Sequence, residues 1–174
     1  VKKLKTVLDD AQMEHFRAEC AILQHCSHHP NVVKFIAGCS DGRNLYIVTD
    51  FCVNGSVYSV FVVRKLPFSY AETLRILRDS ASGILHLHAE RVIHRDIAAR
   101  NFLLNDKFDV FVSDFGLARV KMTFESEQST QSGLGPINFL APESIARKKY
   151  SYASGASAFG MYMYEVLHRS TPYY

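Results

Sequence analysis

The stretch "VIHRDIAARNFLL", Val92 to Leu104, places three charged side chains and one amide between two apolar runs. Asp96 and Asn101 stand five positions apart on what reads as a loop, held at both ends by apolar residues. The tripeptide "HRD" (His94–Asp96) is a weak signal alone. It gains weight from three further features later in the chain, in order: Asn101, "DFG" at Asp114–Gly116 and "APE" at Ala141–Glu143.

Around this stretch the chain has ordinary globular composition, with 174 residues, 48% apolar and 21% charged, which suggests one domain, possibly of two lobes. A net charge of +3 is too small to argue for nucleic acid or an anionic membrane as partner. No apolar run has the length of a membrane span. The opening "VKKLKTVLDD" lacks the apolar core of a signal peptide and starts in mid-strand without Met, which reads as a fragment. Cys20, Cys26, Cys39 and Cys52 form no C-x-x-C pair, so a reduced, cytoplasmic compartment is the expectation. "HCSHHP" offers Cys26, His28 and His29, but no second ligand pair has zinc-like spacing.

Periodicity orders the rest. Residues 1–6 read as a strand end. Met13, Phe16, Cys20 and Leu23 recur at helical spacing over Asp10–Cys26. "VVKFIAG" and "NLYIVTDF" read as a strand pair, and "VNGSV" as a turn before a short helix. Ser69 and Glu72 form a capping box. It opens a helix whose apolar set is Leu74, Leu77, Ala81, Ile84, Leu85 and Leu87. Two short strands come next, around "NFLL" and "DVFVSD", then a polar loop from Lys121 to Gly135, then helices from Pro142 and from Ser154 to His168. Phe159, Tyr162 and Val166 mark the core face of the last. Strands and one helix come first and mostly helix after, which predicts an α+β chain with a small lobe joined to a helical lobe through "TDFCVNG".

The order and spacing of "HRD", Asn101, "DFG" and "APE" resemble the catalytic set of protein kinases, and the likeness runs through nearly the whole chain. The resemblance implies a bilobal protein-kinase-like fold, truncated at both ends. Residues 1–49 would be the remainder of the small lobe, 50–54 the hinge and 55–174 an incomplete large lobe. It implies transfer of the ATP γ-phosphoryl group to a protein Ser, Thr or Tyr hydroxyl, with ATP and Mg²⁺ as cofactors and a protein substrate as partner. The chemistry suits these residues. Phosphoryl transfer asks little covalent work of a protein; it needs positioning and neutralisation of charge. Asp96 can orient the hydroxyl and accept its proton, help worth ~10²–10⁴ in rate. Mg²⁺ takes hard oxygen ligands, and Asp114 and Asn101 supply a carboxylate and an amide oxygen.

By the same resemblance, "VKKLK" is the tail of the lysine strand. Lys2 then contacts phosphate, although Lys3 also fits, and Glu19 in "FRAECAIL" is its partner. Thr49 falls at the back of the adenine pocket, and Asp50 to Cys52 offer backbone hydrogen bonds to the adenine edge. "DIAARN" resembles the tyrosine kinase group, with Arg100 reaching the phosphate region, whereas "GPINFLAPES" resembles the tyrosine-kinase-like group. Arg95 would read a phosphate on the loop after "DFG". From Leu117 to Leu140 there is no Tyr, so Thr123, Ser126, Ser129, Thr130 and Ser132 are the candidate acceptors.

Three departures stand out. The glycine-rich loop that covers the phosphates is missing, and the chain stops at "RSTPYY", before the last helices of the large lobe. In "YSYASGASAFGMYMYEVL", Gly155 stands where the family has a buried Asp and Ser157 where it has Trp; Phe139 replaces another expected aromatic before "APE". A missing carboxylate at 155 is expected to leave catalytic-loop amides without an acceptor, at about 1–3 kcal/mol. These departures leave an alternative reading, a catalytically impaired scaffold or binding module of the same fold.

Overall fold

Lys2–Leu4 (β1) pairs antiparallel with Leu45–Thr49 (β3), which pairs in turn with Phe35–Ser40 (β2). In this computed structural model, residues 1–4, 10–41, 44–120, 128–129 and 137–173 are described. Thr123, Ser126, Thr130 and Ser132 lie outside them, and Ser129 enters only through the backbone pairing of Gln128–Ser129 (β9) with Lys149–Tyr150 (β10). The helix Asp10–Cys26 (α1) has the predicted bounds. It buries Phe16, Glu19, Ile22, Leu23 and Cys26, so one charged side chain shares the apolar face.

The chain leaves α1 through "HHPN". Val32 bridges Val112, and the Val33 N–H donates to the Val112 carbonyl at 2.9 Å. Gly55–Ser56 (β4), Phe102–Leu104 (β6) and Val110–Val112 (β7) form a second antiparallel sheet. It lies on the long helix Tyr70–Ala89 (α2). The capping box that starts α2 is made in both directions. The Glu72 N–H donates to Ser69 Oγ at 3.2 Å, and the Ser69 N–H donates to Glu72 Oε2 at 2.7 Å. Such caps contribute about 0.5–2 kcal/mol.

The face that α2 buries differs from the one expected. Thr73, Ile76, Leu77, Ser80, Gly83, Ile84 and Leu87 are inside, whereas Leu74 is 42% and Leu85 69% exposed. Counting apolar residues misleads here because two small positions, Ser80 and Gly83, line the tightest contact. Ser80 Oγ donates to the Ile76 carbonyl within its own helix and accepts from the Tyr162 hydroxyl at 2.8 Å. Tyr162 belongs to Tyr152–His168 (α4), is fully buried, and stacks on Phe102 with centroids 4.2 Å apart. At Gly83 an added Cβ would sit 2.6 Å from the Asn31 carbonyl oxygen and from Val112 Cγ2. That carbonyl is pinned, because it accepts the Val112 N–H at 2.8 Å. No described helix is long and apolar enough to cross a membrane. Among the described residues no trio of His, Cys, Asp and Glu is gathered as a metal site.

Histidines stitch these elements together. The rings of His29 and His86 stack at 4.7 Å. His29 Nδ1 accepts the Asn31 N–H at 3.0 Å, and the His86 Nε2–H donates to the Cys26 carbonyl at 3.1 Å. His94 comes directly after Val92–Ile93 (β5), which pairs with Arg119–Val120 (β8). Its Nδ1 accepts the Asp96 N–H at 3.3 Å and its Nε2–H donates to the Ser113 carbonyl at 2.9 Å. Each of these two bonding patterns, at His29 and at His94, requires a neutral ring.

Replacing Gly83 with Ala is expected to destabilise the protein by about 1–3 kcal/mol through overpacking against a backbone that cannot retreat, despite Ala's better helix propensity. Chemical denaturation of both proteins measures this; equal or greater stability of the variant would show that the α2 contact has slack. Burial, aided at His29 by His86, lowers the pKa of His29, His88 and His94 below 6.5. The unfolded chain therefore takes up more protons than the fold as pH falls below about 6.5. Their stabilisation is fully present above that value and is lost as pH falls through the folded values. The urea midpoint should drop between pH 7.5 and 5.5, and a flat profile would show that these rings open to solvent.

Candidate active site

A two-residue strand period puts Lys2 and Lys3 on opposite faces of β1. Lys3 Nζ lies 5.9 Å from the ring of Tyr46, its register partner. Lys2 turns the other way, onto the buried face of α1, where its ammonium meets Glu19 Oε1 at 3.1 Å and Asp114 Oδ1 at 2.7 Å. The sequence leaves both lysines open; strand register decides for Lys2. Glu19 is buried, so its carboxylate sits where an unpaired charge is costly, and Lys2 is its counterion.

Asp114 has a left-handed backbone, φ 59° and ψ 76°, immediately before a short 3₁₀ turn at Phe115–Leu117. Phe115 is buried and meets the His94 ring edge-on at 5.4 Å, which anchors the turn while Asp114 faces outward. At Gly116 an added Cβ would come within 3.4 Å of Asp114 Oδ1 and 3.8 Å of Lys2 Nζ, so a glycine leaves room beside the ion pair. Burial alone would raise the Asp114 carboxyl, but the hydrogen bond and charge of Lys2 outweigh it and hold it below the ordinary carboxylate value. Burial likewise opposes the charge on Lys2, and Asp114 and then Glu19 reverse this and raise its pKa.

Asp96 and Asn101 are tied to each other. The Asn101 amide donates to the Asp96 carbonyl at 2.6 Å and to Asp96 Oδ2 at 2.8 Å. Arg100 forms an ion pair with Asp96 Oδ1 and lies over the Phe139 ring, 5.8 Å from its centroid. With its –NH₂ group engaged by Asp96, Asn101 keeps its amide oxygen for another partner. The Asp114 carboxylate and this oxygen are each hard donors of the kind Mg²⁺ takes. Lys2, Glu19, Thr49, Arg100, Asn101 and Asp114 line one cavity of about 240 Å³, with apolar walls from Leu23, Val33, Ile47 and Leu103.

Asp96 does not line that cavity; it touches it through Arg100 and Asn101. Asp50 and Cys52 are not among the lining residues either. The Asp50 N–H donates to the Lys34 carbonyl at 3.0 Å, which takes it out of use, and the Asp50 carbonyl accepts the Thr49 hydroxyl at 3.3 Å. The Cys52 carbonyl accepts the Gly55 N–H at 3.0 Å, and its own N–H meets no acceptor among the described residues.

Gly155 leaves a space that a neighbouring ring takes up, and the expectation of unpaired loop amides does not extend to three of them. An added Cβ there would meet His88 Nε2 at 3.2 Å and Ile97 Cδ1 at 3.9 Å, so the His88 ring occupies much of the space. The loop amides at Asp96, Ala99 and Asn101 have acceptors: His94 Nδ1, Glu165 Oε2 and the Ala98 carbonyl. Sequence reasoning does not single out Glu165, although a carboxylate beside Tyr162 and Val166 on an apolar helix face is its signal. Burial raises its pKa, against the pull of the Ala99 N–H and of Arg100.

Comparison with known proteins gives the family. A family model described as protein tyrosine and serine/threonine kinase matches residues 1–174. The chain is 35% identical over 176 aligned positions to a viral protein named as a putative serine/threonine-protein kinase/receptor, from Acanthamoeba polyphaga mimivirus, covering 99% of this chain and 10% of that one. It is 34% identical to ephrin type-B receptor 3 of Xenopus laevis, covering 96% of this chain and 17% of the receptor. It is 33% identical to a serine/threonine-protein kinase of Arabidopsis thaliana, covering 99% and 30%. The chain thus spans less than a third of the length of these relatives, and it belongs to the protein tyrosine and serine/threonine kinase family.

Proposed function

We propose that this chain is the core of an ATP-dependent protein kinase, transferring the γ-phosphoryl group of ATP to a Ser, Thr or Tyr hydroxyl of a protein. The observation that carries the proposal is the Lys2 ammonium between Glu19 and Asp114, in one cavity with Asn101. In this reading residues 1–49 and 55–174 are two lobes, joined by a hinge at 50–54, with the nucleotide between them. Thr49 stands at the back of the adenine pocket, and the Asp50 carbonyl and the Cys52 N–H serve its edge.

Each side chain then has a task. Lys2, kept charged and placed by Glu19, contacts phosphate oxygens in exchange for part of its bond to Asp114. Asp114 and Asn101 hold Mg²⁺, which when bound neutralises phosphate charge. Asp96 receives the substrate hydroxyl and accepts its proton. Because Arg100 and Asn101 each hold one of its oxygens, that carboxylate is oriented before substrate arrives, which removes an ordering cost from the reaction. Arg100 also places a positive charge beside the transferred group.

Transfer of radiolabel from γ-labelled ATP to a protein acceptor tests this. Asp96→Asn should lower transfer by ~10²–10⁴. Mg-ATP at a hundred times its Kd should stabilise the wild type by about 2.7 kcal/mol in a thermal melt, and Asp114→Asn should remove most of that shift. Equal label in wild type and Asp96→Asn would overturn the enzyme reading; a melting shift without any transfer would favour the scaffold reading.

A further inference from the structure

Glu165 is a buried carboxylate that none of the roles above uses. It lies on α4, one turn from Tyr162, and is 2% exposed. Its Oε2 accepts the Ala99 N–H at 2.9 Å. Ala99 opens the short 3₁₀ turn Ala99–Asn101, in which the Asn101 N–H returns to the Ala98 carbonyl. The first N–H of such a turn has no acceptor inside the turn. A side chain from a distant element supplies it here, 66 residues away in sequence.

The position of that turn matters. Ala99 is three positions beyond Asp96, and the next two residues are Arg100 and Asn101, which hold the Asp96 carboxylate. Whatever fixes the turn therefore fixes both clamps on Asp96. Near its start, α4 meets this loop loosely. Gly155 presents no side chain, and beside it a cavity of about 20 Å³, room for about one water, is bounded by Asp96, Ile97 and Ser154. Three turns further along α4, Glu165 reaches the loop directly through its bond to Ala99.

We propose that Glu165 is a positioning residue for phosphoryl transfer: it caps the Ala99 turn from α4 and so holds Arg100 and Asn101 against Asp96. This rests on the kinase reading above, but its physical part, the cap, does not require turnover. Glu165 does not line the cavity that holds Lys2, Asn101 and Asp114, so its effect falls on the rate of the step and not on ATP affinity.

Three substitutions separate the alternatives. Glu165→Gln keeps an oxygen acceptor at nearly the same place. Glu165→Met keeps the volume and removes the acceptor. Glu165→Asp keeps the charge but draws the carboxylate back by one methylene, and serves if the Met variant fails to fold. Amide hydrogen exchange at Ala99 and steady-state kinetics are measured for each on the full chain. The expected result is an Ala99 amide protected in wild type and in Glu165→Gln, and exchanging about tenfold faster or more in Glu165→Met and Glu165→Asp. In the latter two, kcat falls by about tenfold or more while KM for ATP stays within about twofold, and Glu165→Gln recovers most of kcat. An Ala99 amide that is unprotected in wild type, or equally protected in all folded variants, overturns the proposal. So does a Glu165→Gln variant as slow as Glu165→Met. If wild type transfers no phosphate, the function assigned above fails, and the exchange data alone still decide whether Glu165 caps the loop.

Discussion

Three carboxylates, Glu19, Asp96 and Asp114, are drawn toward one region by three different elements, and two cations make this tolerable. Lys2 bridges Glu19 and Asp114; Arg100 holds Asp96. Gathering like charges in a partly buried site is costly unless each is paired and hydrogen-bonded. The arrangement of the strands and of α1 can be understood from this requirement. Lys2 reaches α1 only because β1 pairs with β3 in the register Lys2 to Ile47. A slip of one residue would send Lys2 to the Tyr46 side and Lys3 inward, displacing the ammonium along the strand. Three residues of strand therefore control the electrostatics of the site.

The helical part supplies rigidity by close approach more than by bulk. Gly83 lets α2 touch the Asn31 carbonyl, and Ser80 receives the Tyr162 hydroxyl from α4. These contacts fix β7, whose end leads through Ser113 to Asp114, and they fix α4 beneath the Asp96 loop. His94 links the two ends of the site directly, with one ring nitrogen on the Asp96 amide and the other on the Ser113 carbonyl. A neutral ring is needed for both bonds, so the same burial that makes the site rigid makes it sensitive to acid. Gly155 shows the converse, a place where α4 gives the loop no side chain and His88 fills much of the gap.

Much of this is legible in the sequence, and the failures have physical causes. The bounds of α1, the capping box at Ser69 and Glu72, and the strand pairs around "NLYIVTDF" and "NFLL" come from period and turn chemistry, which are local. The inner face of α2 is misread when hydrophobicity alone is counted. Ser80 and Gly83 are buried for their small size and hydrogen bonding, while Leu74 and Leu85 remain outside. The resemblance favours Lys2 but leaves Lys3 open, and pairing register, a long-range property, separates them. Asp50 to Cys52 are expected to offer backbone hydrogen bonds, and of these groups the Asp50 N–H belongs to the Lys34 carbonyl through a backbone bond that no side-chain pattern reveals. Glu165 is easily passed over, because a charge on an apolar stripe looks like an irregularity until its backbone partner is known. The hydroxyls from Thr123 to Ser132 remain sequence expectations.

The central claim is that Asp114 and Asn101 form one oxygen donor set beside the Lys2 ammonium. Crystallography of the full chain with Mn²⁺ and a non-hydrolysable ATP analogue tests it most directly, because Mn²⁺ is located by its anomalous scattering. The account predicts a manganese peak bound by the Asp114 carboxylate and the Asn101 amide oxygen, with Lys2 on the phosphates. A metal held by other side chains, or a nucleotide bound with Asn101 and Asp114 turned away from it, would contradict the account.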